Sequence, residues 1–185
     1  LSKNELLGLP ENIGLLTNLY NLDLSKNKII DIPDTIVKLK NLSVLNLSEN
    51  KLSTLPNFLD RMEKLEQLSL SKNRLEIIPS CLWKLMNLRT LNLENNQIKS
   101  LSEEIIQLDR LEELNLMDNP LTSLPLAISD AKLPHLKYLR LNNEHMSLMH
   151  ISPHSSILKF KDPIDWQDEH DRHERHQGAH MVDQD

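Results

Sequence analysis

Glycine is nearly missing from this chain: Gly8, Gly14 and Gly178 are the whole supply in 185 residues. Three isolated glycines cannot build a loop of the form G-x-x-x-x-G-K-[ST] or G-x-G-x-x-G, which excludes nucleotide binding through such a phosphate cradle. Cysteine is scarcer still. Cys81 stands alone, so no intrachain disulfide forms and a small secreted scaffold stapled by bridges is ruled out; a reducing compartment, the cytoplasm, is the expected location. Aromatic residues make up 3% of the chain, too few for the core of mixed shapes that a single globular domain of this length usually packs. No run approaches the roughly 18 apolar residues that cross a bilayer, and no basic-then-apolar leader opens the sequence. An excess of positive charge is absent as well. The 21 Lys and Arg stand against 27 Asp and Glu, net −6, which leaves no broad basic field for phosphate backbones and excludes nucleic acid as the expected partner.

What the chain has instead is leucine, 39 residues of it. One branched side chain used this often implies one environment repeated many times. A period of 23 aligns Leu19, Leu42, Leu65, Leu88 and Leu111, and each opens the pattern L-x-x-L-x-L-x-x-N. Leu22, Leu45, Leu68, Leu91 and Leu114 fill the second leucine position, and Leu24, Leu47, Leu70, Leu93 and Leu116 the third. Asn27, Asn50, Asn73, Asn96 and Asn119 close it. Each asparagine is followed by two further apolar positions and, in four of these repeats, by a proline: Pro33, Pro56, Pro79 and Pro125.

The physical consequence follows from the alternation. Leu22 and Leu24 point to one side of a short strand while Asn21, Asp23 and Ser25 point to the other, so one side is core and the other faces water. A 23-residue coil cannot bury its own leucines; coils must stack, and their strands pair in parallel into one sheet. After each proline, apolar residues three apart (Ile36, Leu39, Leu42) suit a turn or two of helix on the opposite, convex side. Ser102 replaces proline in the fourth full repeat and precedes Glu103 and Glu104, which predicts a serine N-cap and a somewhat longer helix there.

The 23-residue pattern with its L-P-x-x-I-x-x-L second half resembles the leucine-rich repeat family, and within it the intracellular branch of the Scribble and Erbin scaffolds, the Ras suppressor protein and the plant intracellular Ras-group proteins. The resemblance covers about four fifths of the chain. It implies an α/β fold: a curved, right-handed leucine-rich repeat solenoid with a parallel concave sheet and short helices or turns on the convex side. It also implies a non-catalytic protein-binding scaffold or adaptor in intracellular signalling, with Ras-type small GTPases or phosphatases as partners. The same repeat is also mounted on kinases, ubiquitin ligases and nucleotide-binding immune receptors, so the alternative is the recognition arm of a larger enzyme or receptor. No catalytic residue, cofactor or metal is implied.

Three segments are expected. Residues 1–149 form the solenoid, and Leu1-Ser2-Lys3-Asn4 aligns with Leu24-Ser25-Lys26-Asn27, as though the chain opened inside a repeat of a longer protein. Residues 150–166 hold Ile157, Leu158, Phe160, Ile164 and Trp166, a group suited to cap the last coil. Residues 167–185 are an acidic, histidine-rich tail expected to be disordered; its His170, His173, His176 and His180 have spacings that diverge on a helix and read as solvated rather than as a metal site. From 161 onward there are eight acids and three bases, net −5.

Inward-facing asparagine needs hydrogen-bonding partners, and two donors with an acceptor allow it to serve backbone groups of its own and the neighbouring coil. Asn4 through Asn119 are therefore expected to form a ladder, ending at Glu144, whose ionised carboxylate cannot donate. The outward strand positions form the candidate binding face. One column is Asn21, Val44, Gln67, Thr90, Glu113, Tyr138; the next is Asp23, Asn46, Ser69, Asn92, Asn115, Arg140. Its C-terminal end gathers Glu113, Met117, Tyr138 and Arg140, with Gln67, Asn92 and Asn115 beside them, and tyrosine and arginine are the residue types that most often anchor interfaces. Side chains of this face are expected to be dispensable for folding, Asn92→Ala among them. Six strands of five residues at the usual spacings give a face on the order of 400 Å², below the roughly 800 Å² that a partner usually covers. Cys81 reads as a small side chain packed on the convex side.

Overall fold

Alternation of leucine with polar residues produces the sheet that the sequence predicts. The computed structural model describes residues 1–129 and 132–149, together with the backbone of 159–160. The strands are β1 (Asn21–Asp23), β2 (Val44–Asn46), β3 (Gln67–Ser69), β4 (Thr90–Asn92), β5 (Glu113–Asn115), β6 (Tyr138–Arg140) and β7 (Lys159–Phe160). They form one parallel sheet in chain order. Register is constant, each coil's central leucine lying opposite the next: Leu22, Leu45, Leu68, Leu91, Leu114, Leu139. These side chains, with Leu24, Leu47, Leu70, Leu93 and Leu116, are buried in one continuous core. β7 adds to β6 with Lys159 opposite Tyr138. The remainder of the expected 150–166 cap, and the whole of the 167–185 tail, lie outside the described residues.

On the return side the chain forms short 3-10 helices: Glu11–Leu15, Asp34–Lys38, Leu59–Arg61, Ser80–Lys84 and Glu103–Gln107. Pro10, Pro33 and Pro79 precede three of them in extended backbone, where the fixed proline φ and missing N–H cost nothing. Each of these prolines accepts a hydrogen bond at its carbonyl from the residue three later, Ile13, Ile36 and Leu82. Ser102 caps as expected, its side chain accepting from the Glu104 N–H at 3.2 Å. The expected longer helix is not there. Glu103–Gln107 has five residues, as do Asp34–Lys38 and Ser80–Lys84, because Leu108 must turn back into the core (0% exposed) to begin the next coil. Neighbouring 3-10 helices approach closely: a methyl group on Gly14 would sit 2.7 Å from the Thr35 carbonyl oxygen.

The asparagine ladder is present, and its bonding is the same in each coil. Asn73 Nδ2 donates to the Leu70, Ser71 and Leu47 carbonyls, the last in the preceding coil, and its Oδ1 accepts from the Leu52 N–H. Asn27, Asn50, Asn96 and Asn119 repeat the set. Asn4 is exposed and reaches only the Leu1 and Ser2 carbonyls. Glu144 ends the series, as expected: its side chain is 74% exposed, and the Leu121 N–H turns to the Asn119 carbonyl instead.

Immediately before each ladder asparagine the chain takes a left-handed conformation: Lys3, Lys26, Glu49, Lys72, Asn95 and Asp118 have φ between 52° and 57°. Four of these six are lysine or glutamate types that rarely sit there. Four hydrogen bonds made by the following asparagine hold each turn from Lys26 to Asp118 against that strain, and two made by Asn4 hold the turn at Lys3.

Candidate functional site on the concave sheet face

The pairing places the two outward columns in the order read from the sequence, with Glu113 opposite Tyr138 and Asn115 opposite Arg140 on adjacent strands. Gln67, Thr90, Glu113 and Tyr138 in the first column are half-buried. The second column is different. Asn92, Asn115 and Arg140 are 4%, 1% and 6% exposed, so three of the seven candidate side chains are enclosed, and Met117 beside them is half-buried.

Local hydrogen bonding accounts for part of this. Asp23 Oδ1 accepts from the Ser25 N–H, and Asn46, Asn92 and Asn115 do the same for Ser48, Glu94 and Met117 at 3.0–3.1 Å. These Asx turns satisfy an N–H where the strand ends. Asn115 also donates to Glu94 Oε2 at 3.0 Å. The hydrogen bond and the burial of Asn92 argue against the expectation that it is dispensable for folding, since its removal takes the partner from a part-buried backbone N–H. An asparagine two residues before a turn is the signal that would have revealed this.

Charge is organised along the edge where the chain enters the sheet. Glu66, Arg89, Glu112 and Lys137 occupy one position on successive coils and alternate in sign, Arg89 pairing with Glu66 and Glu112, and Lys137 with Glu112. The hydrogen bond from Lys137, joined by that from Arg89, holds the Glu112 carboxyl below its usual value near 4.5. A carboxyl depressed on folding contributes stability that is present above its unfolded value and is lost as pH falls through the folded one. Lys137→Met is therefore expected to raise the Glu112 titration midpoint toward the ordinary range, a shift that carbon-detected NMR titration reads directly.

Cys81 is 6% exposed, with Sγ 3.4 Å from the Pro56 carbonyl. Burial pushes its thiol up, away from the thiolate that nucleophilic chemistry requires. The side chain fills the convex layer next to fully buried Trp83, as expected.

A stack of parallel one-strand coils, sealed by a buried asparagine ladder and returned by short helical turns, defines a leucine-rich repeat solenoid. The family profile described as leucine rich repeat matches residues 17–75, and that described as leucine rich repeats (2 copies) matches residues 63–105. The chain belongs to the leucine-rich repeat family. It is similar to the structure of a leucine-rich repeat protein of Leptospira interrogans, at 38% identity and TM-score 0.69, over 76% of this chain and 34% of that one. It is also similar to the leucine-rich repeat domain of the type III effector XopL, at 29% identity and TM-score 0.67, over 76% of this chain and 50% of that one. The chain thus spans between a third and half of these two structures. Curated proteins give no match. Since 305 solved chains match, the likeness identifies the fold and not a partner. Modules of this kind generally mediate protein–protein interaction, and no helix among the described residues is long and apolar enough to cross a membrane.

Proposed function

We propose that the protein is a non-catalytic interaction scaffold or adaptor that binds a protein partner across the concave face of coils three to six. The observation that carries this reading is the register itself: Gln67, Thr90, Glu113 and Tyr138 stand side by side on β3 to β6. They form a half-buried polar row ending in an aromatic, mounted on a rigid sheet. Fixed side chains lose little entropy on binding, and an aromatic next to a carboxylate provides both contact area and direction. Met117 belongs to the same face. Asn92, Asn115 and Arg140 are enclosed beside this row, so they offer a partner less surface.

A second reading is favoured by the span: the chain covers 34% and 50% of the matched structures, and one of these is the repeat domain of an effector. On that reading the same face is the recognition arm of a larger enzyme or receptor.

Both readings predict that Tyr138→Ala and Glu113→Ala weaken capture of the partner at least about fivefold, the equivalent of about 1 kcal/mol each, with melting temperature unchanged. Quantitative affinity purification of wild type, these variants and the convex Lys38→Ala checks it. Retention of every partner by the concave variants, with loss on Lys38→Ala, sinks the concave-face reading.

A further inference from the structure

The two edges of the sheet carry charge in opposite ways. Where the chain enters, Glu66, Arg89, Glu112 and Lys137 alternate and are closed by ion pairs. Where it leaves, the residue after the repeat asparagine runs Glu5, Lys28, Lys51, Arg74, Gln97, Pro120, so three successive coils carry a cation there. Backbone bonds hold these three in register, their N–H groups donating to the Leu6, Ile29 and Leu52 carbonyls of the preceding coils. Glu5 takes Lys28 at 3.0 Å. Among the described residues Lys51 and Arg74 have no ion-pair partner, and both are exposed. Close by, Lys26 and Lys72 share the single carboxylate of Glu49 at 3.8 and 3.7 Å.

Like charges stacked about one strand spacing apart, ~4.8 Å, repel each other. One flank of this protein removes that cost by alternating sign; the other keeps it between Lys51 and Arg74. The same flank also offers apolar surface. Ile77 is 77% exposed and forms, with Lys99 and Leu101, the wall of a groove of about 470 Å³ that Glu76 shares.

We propose that this leaving flank, from Lys51 across Arg74 to Lys99, docks an acidic peptide segment of a partner protein, with an apolar side chain of the segment seated against Ile77. Carboxylates on one face of an extended peptide repeat about every 7 Å, close enough to engage successive cations, and the Arg74 guanidinium takes one of them through two N–H donors. An extended polyanion fits less well. A nucleic acid or an anionic bilayer repeats charge over a far longer span than these few cations and offers no separate apolar side chain for Ile77, whereas a short segment supplies both. The inference rests on the protein-binding reading only in that the partner is a protein. It uses a different surface, so loss at Tyr138 and loss at Lys51 are separately read.

The test is fluorescence anisotropy of a labelled glutamate decapeptide with one central leucine, added to the full chain. The variants are Lys51→Glu/Arg74→Glu and, as a control of equal charge change on the convex side, Lys38→Glu/Lys84→Glu; circular dichroism melts verify that each folds. Wild type and the control pair are expected to bind within twofold of each other, the flank pair at least tenfold more weakly, and Ile77→Ser about threefold more weakly. Absence of peptide binding to wild type overturns the proposal, and so does equal weakening by the two charge reversals. Tighter binding of a twelve-residue oligothymidine, or of vesicles with 20% phosphatidylserine, overturns it in favour of a nucleic acid or a membrane surface.

Discussion

Leu91→Ala is expected to lower stability by about 2 to 5 kcal/mol. Leu91 is 0% exposed, at the centre of β4 between Leu68 and Leu114 of the neighbouring coils. Truncation removes an isopropyl group from a site whose walls are other coils, each fixed by its own ladder and sheet bonds and unable to collapse into the gap. The cavity and the lost burial therefore add. Because each coil contacts only its neighbours, a defect in the fourth repeat also weakens the coupling between the two halves of the stack. Its neighbour Thr90, one residue earlier and half-buried on the opposite face, provides the control: Thr90→Ala is expected to stay within about 0.5 kcal/mol. Urea unfolding of both variants decides the matter, and equal losses would mean that the inward and outward faces are assigned wrongly.

Asn73→Ala is the second large effect, about 3 kcal/mol, at the upper end of the range for orphaned buried groups. The substitution leaves the Leu47, Leu70 and Ser71 carbonyls and the Leu52 N–H without the partners that one side chain supplies. Two of those groups belong to the preceding coil, so the loss acts on stacking as well as on the turn. Asn73→Asp discriminates between shape and donors. It retains an acceptor for the Leu52 N–H but cannot donate to any of the three carbonyls, and a comparable loss is expected. Asn4→Ala, at the same repeat position but exposed and bonded only to the Leu1 and Ser2 carbonyls, is expected to cost only a few tenths of a kcal/mol. Thermal melts of the four proteins read this directly; a silent Asn73→Asp would show that donation to the carbonyls contributes little.

The sequence made the core and the ladder legible because both rest on strict spacing. Leucines two apart must share a strand face, and an asparagine at a fixed offset from them must find backbone partners. Less was legible where one residue type serves two purposes. Asn92 and Asn115 alternate correctly with the core leucines, so they read as solvent-facing, yet each closes an Asx turn and is enclosed. Arg140 occupies an outward position and is buried, which spacing alone does not reveal. The left-handed residues were hidden because lysine and glutamate occupy four of the six, and only Asn95 and Asp118 are of types that favour that conformation. Helix type was hidden for a geometric reason: apolar residues three apart suit a 3-10 turn as well as the first turn of an α-helix. Only Leu126–Ser129 is α-helical among the described residues, so most coils keep the tighter form.

The most direct test of the binding account is site-specific photo-cross-linking in cells, with a benzophenone amino acid placed at Thr90 or at Lys38. Thr90 lies on the concave row and Lys38 ends a convex 3-10 helix, and both substitutions leave core and ladder untouched. The account predicts a defined protein adduct from Thr90 and none from Lys38. A defined adduct from Lys38 with none from Thr90 would contradict it.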